Sequence, residues 1–119
     1  MNSLQKKLLL VESNPQFRSL LAAFFSRYFT VGVARTDIEA WHMLRLGFEA
    51  NAMLVGLSSA SIDMRVLERL RRNVLFADIP IILLSDQPEA LAKNSNVTWE
   101  IYGKPLDLLQ LNSRLKEIA

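Results

Sequence analysis

Cysteine is absent from the 119 residues, which excludes disulfides, thiolate zinc sites and a cysteine nucleophile together. Histidine occurs once, as His42, and a lone histidine has no metal-site spacing. No apolar stretch approaches the ~18 residues of a membrane helix. The opening run Leu8–Val11 is too short for a signal-peptide core, and Glu12 ends it. Neither sign of charge dominates. Lys plus Arg is 14 and Asp plus Glu is 12, a formal net charge of +2, too mild to argue for nucleic acid or anionic lipid. G-x-x-x-x-G-K-[ST] and G-x-G-x-x-G are both missing, so nucleotide-binding loops have no support. Internal repeats, low-complexity tracts and Gly/Ser linkers are missing too, which reads as one domain over 1–119. What is present is apolar content: 50% of the chain is hydrophobic and 22% charged, enough to bury a core. The expectation is a cytoplasmic protein with no membrane contact.

Two hydrophobic periods alternate along the chain. Leu8–Val11 is a continuous apolar run, as in a strand covered on both faces. Asn14-Pro15 then starts a helix, whose Phe17, Leu20, Leu21, Phe24, Phe25 and Tyr28 fall on one face. Thr30–Ala34 is short and β-branched, a strand. Thr36 with Glu39 reads as a capping box for a helix from Ile38 to about Phe48, with Ile38, Trp41 and Leu44 inward. Ala52–Leu57 is a buried strand and Ser58–Ser61 a polar loop. A third helix, Ile62–Arg72, buries Val66, Leu67 and Leu70 and exposes Arg65, Arg69 and Arg72. Ile79–Leu84 is a strand with Pro80 tolerated at its start. Asp86 and Glu89 pair as caps of a short helix to Lys93, Val97–Tyr102 is a weaker strand, and Leu106–Ile118 a final helix. Strand and helix thus alternate five times. This implies an α/β fold, a doubly wound parallel five-stranded sheet with helices on both faces. Chemistry in such sheets gathers beyond the C-terminal strand ends, here at Glu12 and Ser13, Gly56 to Ser59, Ser85 and Asp86, and Lys104 with Pro105.

Those strand ends carry a resemblance. Leu8-Leu9-Leu10-Val11-Glu12-Ser13-Asn14-Pro15 with Arg18, Ile81-Ile82-Leu83-Leu84-Ser85 and Tyr102-Gly103-Lys104-Pro105 resemble, in order, the receiver domain of two-component response regulators, the CheY-like superfamily of flavodoxin-like (βα)5 topology. The resemblance spans essentially the whole chain. It implies an acidic pair at the first strand tip that helps hold Mg²⁺, an Asp at the third strand tip that takes a phosphoryl group, a Ser/Thr switch and a Lys. Carried over, Glu12 and Ser13 stand at the acidic positions, Gly56 at the phosphoacceptor, Ser85 at the switch and Lys104 at the amine. Gly56 cannot form an acyl phosphate, and one carboxylate matches Mg²⁺ poorly. Ala60, Met64 and Ile101 depart from the family pattern as well. The implied reading is a degenerate pseudo-receiver: no catalytic residues, no metal, no cofactor. It signals through a protein partner, an attached output domain or a homodimer, with nucleic acid not expected for this domain.

Other features are weighed beside it. Asp63 and Asp86 read as helix caps. A Glu12–Lys104 ion pair is expected to close the pocket, against the alternative that both point into water. The vacated crevice near Ser85 and Lys104 offers a second reading, a small-molecule or anion site. Ser58, Ser59 and Ser61 read as loop residues, since His42 lies too far away to act as their base. Arg65, Arg69, Arg71 and Arg72 read as a solvated helix face. Trp99, Ile101 and Tyr102 form the expected partner surface, and Trp41 packs.

Overall fold

The structure is a computed structural model and describes residues 5–57, 60–93, 99–103 and 105–119. The elements in chain order are β1 (Lys7–Val11), α1 (Pro15–Phe25), β2 (Thr30–Ala34), α2 (Asp37–Arg45), β3 (Ala52–Gly56), α3 (Ala60–Arg72), α4 (Val74–Ala77), β4 (Ile81–Ser85), α5 (Pro88–Lys93), β5 (Glu100–Gly103) and α6 (Leu108–Ile118). The five strands form one sheet in the order β2-β1-β3-β4-β5, and every pairing is parallel.

Alternation along the strands sorts the core into two layers. Leu9, Val11, Met53, Val55 and Leu83 point to one face and meet Ala40, Leu70, Phe76 and Leu91 from α2 to α5. Leu8, Leu10, Leu54, Ile82 and Leu84 point to the other and meet Leu21, Phe25, Leu111 and Leu115 from α1 and α6. The continuous apolar runs follow from this, because a strand roofed on both sides has no polar face.

The helix starts obey local chemistry. Asn14 Oδ1 accepts from Phe17 N at 2.9 Å, with Pro15 in the first turn. Thr36 Oγ1 accepts from Glu39 N at 3.1 Å. The Glu39 carboxylate reaches Arg35 N at 2.9 Å and its guanidinium at 3.0 Å. These bonds, the backbone one foremost, hold the Glu39 carboxyl below its ordinary range. Asp107 Oδ1 accepts from Gln110 N at 3.1 Å, a cap the sequence reading passed over.

Several boundaries differ from expectation. The second helix ends at Arg45 rather than near Phe48 because Gly47 takes φ 105°. Phe48 N then reaches Met43 O at 3.0 Å and Gly47 N reaches Leu44 O at 3.2 Å, the Schellman stop that a left-handed glycine permits. The third helix begins at Ala60, so Ser61 lies in it and not in a loop. A short α4 follows, capped by Asn73 Oδ1 on Leu75 N at 3.0 Å. One turn with no repeat of its period left no sequence signal. The fourth strand runs to Ser85 and starts at Ile81, after Pro80, whose carbonyl still accepts from Met53 N at 2.9 Å. The following helix starts at Pro88. Ile38, expected inside, is 55% exposed; Asp37 and Ala40 take the buried face of α2 instead.

Candidate functional site

The parallel sheet brings the ends of β1, β3 and β4 together, and the sequence-derived site residues sit there. Glu12 follows β1 directly, and its N–H continues the sheet by donating to Ala34 O at 3.0 Å. Its side chain turns inward and is only 4% exposed. Oε2 accepts from Asn14 N at 2.9 Å, and Oε1 is buried with no partner among the described residues. The register that pairs Val11 with Val55 sets Glu12 beside Gly56. A Cβ built on Gly56 would overlap Glu12 Oε1 and stand 2.9 Å from its Cδ. The carboxylate therefore fills the space a side chain at position 56 would take, and the crevice that Gly56 leaves on paper is occupied.

Arg18, one turn into α1, donates from Nη1 to Glu12 O at 3.0 Å and to Ser13 O at 3.3 Å, which fixes the β1–α1 turn. Ser13 itself is exposed. Ser85 is buried at the end of β4, and its Oγ accepts from Gln87 N at 3.0 Å. Lys104, and with it the expected Glu12–Lys104 pair, lies outside the described residues, as do Ser58 and Ser59. Among the described residues no three His, Cys, Asp or Glu side chains gather as a metal-binding group. His42 is exposed, its ring 5.0 Å from that of Trp41.

The residues expected to form one partner surface, Trp99 just before β5 with Ile101 and Tyr102 in it, part company. Trp99 and Ile101 pack on the face covered by α2 to α5, whereas Tyr102 packs on the α1–α6 face. The Tyr102 hydroxyl donates to Glu100 Oε2 at 3.2 Å, and Arg114 of α6 grips the same carboxylate at 2.6 and 2.9 Å. Arg114 holds the Glu100 carboxyl below its ordinary value. Burial first, then the Glu100 charge, pushes the Tyr102 phenol up.

Neither the Glu100–Arg114 pair nor the one between α2 and α3 has a pairing signal in the sequence. Arg69, expected on a solvated stripe, donates from Nε to Asp37 Oδ2 at 2.5 Å and from Nη2 to Oδ1 at 3.0 Å. Asp37 is 6% exposed, and its hydrogen bonds to the guanidinium, foremost, raise Arg69 above its ordinary value. The only local signal was an acid in the first turn of a helix, which capping already explains.

No known family profile matches this sequence, and no curated protein sequence matches it. Solved structures do. A sensor protein from Polaromonas sp. JS666 superposes with a TM-score of 0.81 at 20% identity, over 96% of this chain and 95% of that one. The chain has the receiver-domain fold. The receiver domain of a sensor histidine kinase from Pseudomonas aeruginosa, determined with a magnesium ion in its active-site cleft, gives 0.78 at 20% identity, over 97% and 98%. A CheY-like receiver domain from Methylobacillus flagellatus gives 0.72 at 15% identity, over 96% and 98%. This receiver fold places Glu12, Gly56 and Ser85 at the strand tips. Among the described residues, no helix is long and apolar enough to cross a membrane.

Proposed function

We propose that this chain is a degenerate receiver module of two-component signalling, one that takes up no phosphoryl group and acts by binding a protein. The partner is another protein, an attached output domain or a second copy of the chain, and the module works by recognition rather than catalysis. One observation supports this above the others: the Glu12 carboxylate lies in the space over Gly56. The receiver pattern puts the phosphoacceptor carboxylate at that strand tip. Gly56 supplies none, and a phosphoryl group arriving there would meet the Glu12 carboxyl group already in that space. The donors do not fit Mg²⁺ either. That ion demands near-octahedral oxygen ligation, whereas Glu12 has one oxygen on the Asn14 amide, Ser13 offers a neutral hydroxyl and Gly56 offers no side-chain oxygen.

The test is incubation with acetyl phosphate and MgCl2 followed by intact-mass measurement. The expected result is an unchanged mass and an unchanged amide spectrum. A hydroxylamine-labile adduct with the mass of one phosphoryl group would overturn the reading.

A further inference from the structure

Strand β2 lies at one edge of the sheet and pairs with β1 alone. Thr30 N–H donates to Lys6 O at 2.9 Å, and Ala34 O accepts from Glu12 N at 3.0 Å. With the parallel register that runs from Lys7 opposite Thr30 to Val11 opposite Ala34, the backbone groups of Thr30, Gly32 and Ala34 turn toward β1. Those of Val31 and Val33 turn outward, and among the described residues no other backbone bond takes them up. The Val33 side chain is 39% exposed as well.

Sheet edges are commonly guarded by charge, proline or a bulge. β2 reads Thr-Val-Gly-Val-Ala, with neither charge nor proline, and its register with β1 is unbroken. The opposite edge differs, since β5 carries Glu100, held by Arg114. Residue order on β2 says what fits it. Val31-Gly32-Val33 reads the same in both directions, so an antiparallel copy of the strand presents the same side chains in the same places. Val31 then stands opposite Val33 of the second copy as a hydrogen-bonded pair, and the two Gly32 residues meet on the two-fold axis as a non-hydrogen-bonded pair. Each outward N–H finds an outward carbonyl. Val33 gains a valine beside it on the same face, and no like charges meet. A patch complementary to itself about a two-fold axis is what a symmetric dimer requires.

We infer that β2 is a contact between two copies of this chain, joined antiparallel through Val31 and Val33 into one continuous sheet. The inference rests on the protein-binding reading above and selects the second copy as partner. Two strands this short make a small interface, so the dimer is weak and its population follows concentration.

The test dilutes the whole ¹⁵N-labelled chain from millimolar to micromolar concentration. At the high end the Val31 and Val33 amides are expected to shift and to gain protection from solvent exchange. Those of Thr30, Gly32 and Ala34, already turned to β1, are protected throughout, and sedimentation at millimolar concentration shows a dimer. A mixture of ¹³C-labelled and unlabelled chain is expected to give an isotope-filtered contact between the Gly32 α-protons of the two copies. Val33→Lys, at an exposed position, is expected to weaken association roughly tenfold or more with an unchanged melting temperature at micromolar concentration, and Val33→Thr to retain it. The inference is overturned by a chain that stays monomeric at millimolar concentration, by concentration-dependent shifts on another face, by a missing Gly32 contact, or by a Val33→Lys dimer of undiminished strength. A monomer still leaves the protein-binding reading to a different protein, and a phosphoryl adduct read by mass leaves the β2 contact untouched, so the two fail separately.

Discussion

Gly56 and Glu12 share one volume, and each residue's identity has meaning only through the other. A side chain at 56 must displace a carboxylate that is buried and bonded to the Asn14 amide. Gly56→Ala is therefore expected to lower stability by about 1–3 kcal/mol, the usual cost of adding atoms to a filled site. In a Glu12→Ala background the same substitution is expected to cost under about 0.5 kcal/mol, because the space is then free. Urea unfolding of the four proteins measures the coupling, and equal costs in both backgrounds would remove the shared-volume account. A second residue-scale prediction concerns Glu100. Its carboxyl is held below the ordinary 4.5 by Arg114. A depressed folded value contributes stability that is present above the unfolded value and lost as pH falls through the folded one. Melting temperatures recorded from neutral pH down through the acid range should fall below pH 4.5, and Arg114→Met should flatten that fall.

At the scale of elements, α2 and α3 are joined by chemistry as well as by packing. Asp37 caps nothing distant by itself; it is the Arg69 fork that satisfies both of its oxygens. Arg69→Met leaves a buried carboxylate without its donors, which is expected to cost about 1–2 kcal/mol, the lower end because the guanidinium is nearly half exposed. Asp37→Asn combined with Arg69→Met is expected to cost less than the sum of the two single changes, since the second removes no pair that still exists. Chemical denaturation of the cycle checks this, and strict additivity would show that the pair holds nothing. Elsewhere the elements are held by simpler means: α1 and α2 begin on Asn14 and Thr36, and α2 stops on Gly47. Those signals are local, which is why both caps are legible in the sequence. The Gly47 stop was not anticipated, although the same local chemistry produces it.

For the whole molecule, the strand order predicts a gradient of local stability. β1 and β3 lie inside the sheet with side chains covered on both faces, whereas β5 is an edge strand whose four residues are all only partly buried. Amides of Leu8 to Leu10 and Met53 to Val55 should exchange only through global unfolding, and those of Glu100 to Gly103 sooner, through local opening. Hydrogen exchange followed by NMR reads both classes in one experiment; uniform protection across the sheet would contradict the prediction. The same layering places the strand-tip site at one end of the sheet.

The sequence by itself determined the alternation of strand and helix, the two-sided core and the position of Glu12, Gly56 and Ser85 at strand ends, because apolar period and cap chemistry act over a few neighbouring residues. It also placed Ile101 and Tyr102 on one strand, and with a period of two they had to face opposite ways. Only the tertiary structure decided that Glu12 turns toward Gly56, that Asp37 meets Arg69 thirty-two residues later, and that Ile38 stays at the surface. Each of these depends on the register between β1 and β3 or on the seating of α2 against α3. Such relations join residues far apart in the chain, and the local pattern carries no record of which side chain will fill the space another leaves.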